Sequence, residues 1–233
     1  MALFPTPQES CFYLDPAAGL DASNNWIDSS PFGLNVTPVG YAAPNYGITT
    51  GPSGAKCITF NGANQRGTLP LRFYNNAPVG DFTIACVARH NAPANLDYIF
   101  FGHNNAWTRG IGLTVSPTAE RMMARSYDAA GAFTTWTDAA SVPFTGRTRV
   151  SVLSLSPAGS TGRSWHDRVG VAGAFAGSTN PIAYDVAAVP VIGSWSAGAG
   201  NFFDGNLYLL AIWPRLFSSQ EAVAFSDYWM GQV

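Results

Sequence analysis

The sequence predicts an all-β chain, an antiparallel jelly-roll sandwich closed by one short C-terminal helix. Three observations carry that expectation. About a dozen short apolar runs alternate with turn residues at the spacing of a sandwich. The 233 residues include 24 Gly, 16 Pro and 13% aromatics, a mixture that suits many turns around packed rings. The third is the stretch from Gly200 to Trp229, which reads as a strand, a corner and a capped helix. Asp204-Gly205 is expected to turn the chain, because glycine tolerates positive φ. Leu207 to Trp213 then forms a strand, with Leu207, Leu209, Ala211 and Trp213 on one face and Tyr208, Leu210 and Ile212 on the other. Both faces are apolar, so both should be covered. Pro214 cannot donate to a ladder and ends the strand. Ser218-Ser219-Gln220-Glu221 is a capping box, and Ala222, Phe225 and Trp229 give the following helix one apolar stripe.

The preceding elements follow in order. Phe12 to Leu14 is a short strand, and 21–30 is a polar connection. Phe32 to Val39 adds an edge strand before a Pro/Gly loop that runs through Gly54. Cys57 to Phe60 is a strand ending in Asn61-Gly62, a tight-turn pair, so Gly67 to Phe73 is expected to fold back on it. Asp81 to Arg89 alternates cleanly, with Phe82, Ile84, Cys86 and Ala88 on one face. Two hairpins follow, Tyr98–Gly102 with Gly110–Val115 and Arg121–Tyr127 with Ala132–Trp136. In Thr148 to Leu155 the valines and leucines change parity, which a bulge or burial on both faces explains. Ser164 to Ala172 and Val189 to Trp195 complete the set. With no repeat and no linker, residues 1–233 are expected to form one domain.

Composition narrows the function. Charged residues are only 11%, against about a quarter in average soluble domains, and the net charge is −2. The single lysine, Lys56, and the scattered arginines do not suit a nucleic-acid partner. No stretch has the length of a membrane span or the shape of an export signal. Cys11, Cys57 and Cys86 are odd in number and far apart, so they are expected as buried thiols.

Several of these landmarks together resemble the laminin-G-like, or concanavalin-A-like, jelly-roll family. They are Leu14-Asp15 with Asp21-Ala22-Ser23, Phe60-Asn61-Gly62, Phe82-Thr83-Ile84, and the closing set Phe203, Gly205, Leu207, Ile212, Trp213, Arg215, Leu216, Ser218 and Glu221. The resemblance runs from Leu14 to Trp229 and implies the two-sheet sandwich. One position departs from it: Tyr208 or Leu209 stands where the family often carries an acid.

Some members of that family are glycoside hydrolases, whose chemistry needs two facing carboxylates. Here Glu9, Glu120 and Glu221 fall in a tail, a turn and a helix cap, so that activity is not expected. His90, His103 and His166 are the candidates for a serine-histidine-acid arrangement, but no Gly-x-Ser-x-Gly elbow surrounds a serine. Relatives also hold calcium at the rim. Asp81, Asp97, Asp128 and Asp204 stand at expected strand ends without an acidic cluster, so no cofactor or metal is expected.

A sugar site needs an aromatic platform and planar polar groups. The loop from His103 to Arg109 has both. Asn104, Asn105, Trp107 and Arg109 are the candidate glycan-binding residues, with Trp136 and Trp165 joining if their turns approach. The alternative is that Trp107 packs under its hairpin and the asparagines only make the turn. The broader reading is a non-enzymatic structural or adhesive component of a bacteriophage virion, a capsid decoration or tail-associated protein. It would be made in the host cytoplasm and held to other virion proteins, and to copies of itself, by apolar contacts. The resemblance supports this, because laminin-G-like domains occur in phage head and tail proteins. A lectin-like module binding a surface glycan is the alternative.

Overall fold

The computed structural model describes residues 4–91, 97–103, 109–116, 120–195 and 201–233. In chain order the strands are β1 (Phe12–Leu14), β2 (Thr37–Val39), β3 (Ile48–Thr50), β4 (Lys56–Asn61), β5 (Arg66–Thr68), β6 (Phe82–His90), β7 (Asp97–His103) and β8 (Gly110–Ser116). They continue as β9 (Arg121–Tyr127), β10 (Phe133–Asp138), β11 (Thr148–Ser156), β12 (Thr161–His166), β13 (Val169–Val171), β14 (Gly173–Gly177), β15 (Val191–Ile192) and β16 (Asp204–Trp213). Helix α1 (Ser219–Met230) closes the chain.

Among the described residues these strands form two antiparallel sheets. The first is ordered β13-β12-β11-β6-β16-β4-β3, with β1 also paired to β16; the second is β14-β10-β9-β8-β7-β15-β5-β2. The inner faces meet in one apolar core that includes Trp26, Phe60, Phe82, Phe100, Leu153 and Ile212. A second apolar layer covers the outer face of the first sheet. There Val87, Val152 and Trp213 pack beneath Ala222, Phe225 and Trp229 of α1. The capping box forms as expected: the Ser218 hydroxyl accepts the Glu221 N–H and the Glu221 carboxylate accepts the Ser218 N–H. Burial alone would raise the Glu221 carboxyl, but the Ser218 N–H and Arg215 together hold it below its ordinary value.

Burial on both faces also explains the strands that looked irregular. β11 keeps an unbroken register against β6 and β12, with Val150 and Val152 in the outer layer and Leu153 and Leu155 in the core. The parity change in its sequence is therefore two covered faces and not a bulge. β16 is the opposite case. Its register against β6 shifts between Leu207 and Leu209. The shift puts Leu207 in the core with Leu210 and Ile212, while Tyr208, Leu209, Ala211 and Trp213 face α1. The expected grouping of Leu207 with Leu209 is corrected by that bulge.

Four other expectations change. Asp204-Gly205 lies inside β16 and is not a turn. Gly205 stands opposite His90 and Phe60, and a Cβ there would sit 2.0 Å from the Arg89 carbonyl oxygen. Asn61-Gly62 does not close a hairpin. The Asn61 side chain accepts the N–H groups of Ala63, Asn64 and Gln65, which widens the turn and sends β5 to the second sheet. The segment after β5 continues as a short 3-10 helix, Leu71–Asn75. Ser164 to Ala172 is also broken: Asp167 and Arg168 both have positive φ, so the chain turns between β12 and β13. The Pro/Gly loop before Gly54 contains the short edge strand β3.

Candidate binding face

The outer face of the second sheet collects rings, guanidinium groups and hydroxyls. Met122 and Ala124 of β9 enter the core, so Arg121, Met123, Arg125 and Tyr127 project outward. The register then fixes their neighbours. Arg125 lies between Gly112 of β8 and Thr135 of β10, and Tyr127 lies between Gly110 and Phe133. The rings of Tyr127 and Phe133 are 6.3 Å apart between centroids. β7 adds Tyr98 and Phe101, and Trp195 stacks near Tyr98 with centroids 6.5 Å apart and planes within 25°. Burial pushes the Tyr98 and Tyr127 hydroxyls up, and the Arg125 charge opposes it in both. Both phenols therefore lie within reach of the Arg125 charge.

Exposure divides this face. Tyr98 and Phe101 are wholly buried, whereas Phe133 is 53% exposed. Arg121, Met123, Arg125 and Thr135 are half-buried, and the Nε atoms of both arginines are covered. Arg109, exposed, enters β8 beside Gly110. Such a face can press a ring against apolar carbon, offer a rigid fork of donors, and exchange hydrogen bonds with hydroxyls.

The sequence candidates are distributed differently. Asn104, Asn105 and Trp107 lie outside the described residues. Trp136 and Trp165 do not join Arg109. Trp136 is 8% exposed within the core, its Nε1 donating to Ser164 Oγ at 3.2 Å. Trp165 is 5% exposed in the layer shared with α1. They occupy opposite sides of the first sheet, and neither offers a free ring to a ligand. Sequence reasoning passed over Arg125, Tyr127 and Phe133. The alternation Arg121, Met123, Arg125, Tyr127 against Met122, Ala124, Ser126 was the available signal, since it gives β9 one face of functional side chains.

A serine-histidine-aspartate chain does occur. Ser151 Oγ is 2.8 Å from His166 Nδ1, and His166 Nε2 is 2.9 Å from Asp138 Oδ2. Asp138 also accepts the Ser164 hydroxyl at 2.5 Å and the Met122 N–H at 3.1 Å. Ser151 is fully buried between the sheets, so no acyl group can reach its oxygen. Other acids among the described residues have structural partners too, while the side chain of Asp97 is not among those described. Glu9 and Glu221 both meet Arg215, and Glu120 accepts the N–H groups of Phe144 and Thr145. Asp128 accepts Ala130 N–H, Ala132 N–H, Ser178 Oγ–H and the Asn180 amide, and these bonds hold its carboxyl down at about 2. Asp81 accepts the Ser156 hydroxyl, and Asp204 accepts the Asn91 amide. Among the described residues no three His, Cys, Asp or Glu side chains gather as metal ligands, and no helix is long and apolar enough to cross a membrane. All three cysteines are free and buried. Burial pushes the Cys11 and Cys86 thiols up to about 12.

Two facing antiparallel sheets with a C-terminal helix define a jelly-roll sandwich. No family model and no curated protein matches the sequence. Solved structures do match the fold. One is botulinum neurotoxin type C, which interacts with two ganglioside molecules; it is 6% identical over 94% of this chain and 51% of that one, with a TM-score of 0.64. Another is domain 4 of AbnA, an extracellular arabinanase from Geobacillus stearothermophilus, in complex with arabinotriose. It is 14% identical over 94% of this chain and 98% of that domain, with a TM-score of 0.62. A third is Trypanosoma rangeli sialidase, 16% identical over 95% of this chain and 33% of that one, with a TM-score of 0.57. The chain thus spans about half of the toxin chain and nearly all of the arabinanase domain.

Proposed function

We propose that this chain is a non-enzymatic binding domain that recognises a glycan through the outer face of the second sheet. The observation that carries the reading is the position of Arg125, paired with Thr135 on the same outer face as Tyr127 and the exposed ring of Phe133. A donor fork beside aromatic surface is what a pyranose or furanose ring with its hydroxyls requires. The fold is shared with a domain crystallised with arabinotriose and with a ganglioside-binding toxin, which supports the same reading. The test is a glycan array probed with the wild type, Arg125→Ala, Phe133→Ala and Arg109→Ala, with thermal melts to confirm folding. Selective wild-type binding that falls at least about tenfold in folded Arg125→Ala and Phe133→Ala supports it, since one lost charged hydrogen bond or ring contact is worth about that much. Arrays on which the wild type binds nothing, or on which these variants bind like the wild type, would overturn it.

A second reading, as a virion component, rests on sparse charge and on apolar side chains exposed around α1. Tyr228, Met230 and Leu216 are between 38% and 49% exposed. We propose that this surface holds the chain, as a homo-oligomer, to other proteins of a bacteriophage capsid or tail. Co-purification with particles at fixed copy number is the expected result. A monomer that never associates with particles would remove this reading and leave the glycan reading standing.

A further inference from the structure

Away from the face just described, a groove of about 490 Å3 opens beside β3, at the free edge of the first sheet. That volume is within the range of small-molecule sites. Its lining combines apolar carbon from Leu20, Pro44 and Ile48 with the Asn45 amide, the Thr50 hydroxyl and the Lys56 ammonium. The pairing of β3 with β4 adds backbone groups. Thr59 N–H donates to Gly47 C=O and Gly51 N–H donates to Ala55 C=O, so the intervening Thr50 turns its N–H and C=O away from β4.

Charge decides what fits. Lys56 is the only lysine in the chain and the only charged side chain lining the groove. It is exposed, its nearest polar partner is Thr50 Oγ1 at 3.4 Å, and no carboxylate among the described residues forms an ion pair with it. A lone ammonium beside a hydroxyl, an amide and backbone edge groups, over an apolar floor, is complementary to one negative charge on a polyhydroxylated ring. We propose that this groove is a second site, independent of the Arg125 face, and that it binds a carboxylated sugar such as a uronic or sialic acid. The carboxylate would meet Lys56 and Thr50, the hydroxyls would meet Asn45 and the edge of β3, and the carbon face of the ring would lie on Leu20, Pro44 and Ile48.

The single lysine makes the test direct. Reductive methylation with isotope-labelled formaldehyde keeps the charge and gives one lysine side-chain resonance, which the Lys56→Arg protein lacks. Glucuronate and N-acetylneuraminate, each titrated to about 50 mM to cover millimolar affinity, are expected to shift that resonance saturably, and glucose is expected to leave it unmoved. On unmethylated protein, calorimetry should show affinity for the sugar acids falling about tenfold in Lys56→Ala and severalfold in Thr50→Val. Followed at the Lys56 resonance, which reads this groove alone, the sugar-acid affinity should fall in Thr50→Val whether or not the Arg125 face binds sugar, which separates this site from the face on the second sheet. The proposal is overturned if the resonance does not move, if acetate or inorganic phosphate at equal ionic strength moves it as far, or if Lys56→Ala binds as tightly as the wild type.

Discussion

His166 and Asp138 come from opposite sheets, and their Nε2 and Oδ2 atoms lie 2.9 Å apart where the sheets meet. Both are almost wholly buried, at 3% and 1% exposure. Asp138 Oδ2 also accepts the Met122 N–H, so it meets the imidazole as an acceptor and Nε2 donates. Ser164 and Met122 supply two further donors, one from each sheet. The group has the composition of a catalytic triad, but its place is that of a bolt between the layers. It fixes how β10 lies over β11 and β12, and so sets the position of β9, which carries Arg125.

Asp138→Ala should therefore be strongly destabilising. It strands His166, Ser164 and the Met122 N–H in a dry core, and breaking a buried pair from one side costs about 3–5 kcal/mol. Urea unfolding of Asp138→Ala, His166→Ala and the double variant checks it. The double variant should cost clearly less than the sum of the two singles, because the atoms share one network. Strict additivity would show that the bond does not couple the sheets.

His90 should make the fold weaken in mild acid. Burial lowers its pKa to about 4 from 6.5, overriding the nearby carboxylates of Glu120 and Asp204. The Phe203 and Phe144 rings stand 4.6 and 6.4 Å from it. Between pH 6.5 and 4 the unfolded chain binds a proton that the folded chain refuses, so stability rises with pH across that window and is lost as pH falls through it. The loss should be on the order of 3 kcal/mol, complete near pH 4. Denaturant midpoints measured across the window check the slope, which should flatten in His90→Phe whatever that variant's absolute stability.

How much of this was legible follows from the range of each interaction. The faces of β6 and the cap of α1 depend on neighbours within four residues, and the local pattern contains them. The partner of β4 does not: Asn61 spends its carbonyl on three following N–H groups, and nothing in Phe60-Asn61-Gly62 says that the chain then changes sheet. The bulge after Leu207 likewise exists only against β6. For the candidate face, the alternation that puts Arg125 and Tyr127 of β9 together is in the sequence, but Tyr98 comes from β7 and Phe133 from β10, so only the register brings those two to it. Trp136 and Trp165 were misleading for a related reason. A tryptophan near a turn looks the same whether its ring caps a core or faces solvent.

Their burial gives the next prediction. Trp136→Ala and Trp165→Ala should each cost about 3–5 kcal/mol, the usual loss for a large buried ring. Glycan affinity of the folded fraction should be unchanged. Measuring sugar binding well below each variant's melting temperature separates the two effects. A folded Trp136→Ala protein that has lost its glycan would return that residue to the site.

Gly205→Ala tests whether glycine is required inside β16. Its φ of 158° is near extended, so conformational strain is a small part of the argument. Close approach is the larger part. An added methyl would lie 2.0 Å from the Arg89 carbonyl oxygen and 3.0 Å from the Phe203 ring. The oxygen is backbone in the neighbouring β6, so relief requires the two central strands to part, and those strands also carry His90 and Asn206. Overpacking of this kind costs about 1–3 kcal/mol, and a backbone obstacle places it at the upper end. The expected result is a melting temperature lower by roughly 5 °C or more. Faster amide exchange should be confined to the ends of β6 and β16 nearest His90, while the α1 end of β16, anchored by Trp213 against Phe217 and Phe225, keeps its protection. Unchanged exchange at the His90 ends of β6 and β16 would mean that the strands accommodate the methyl without parting.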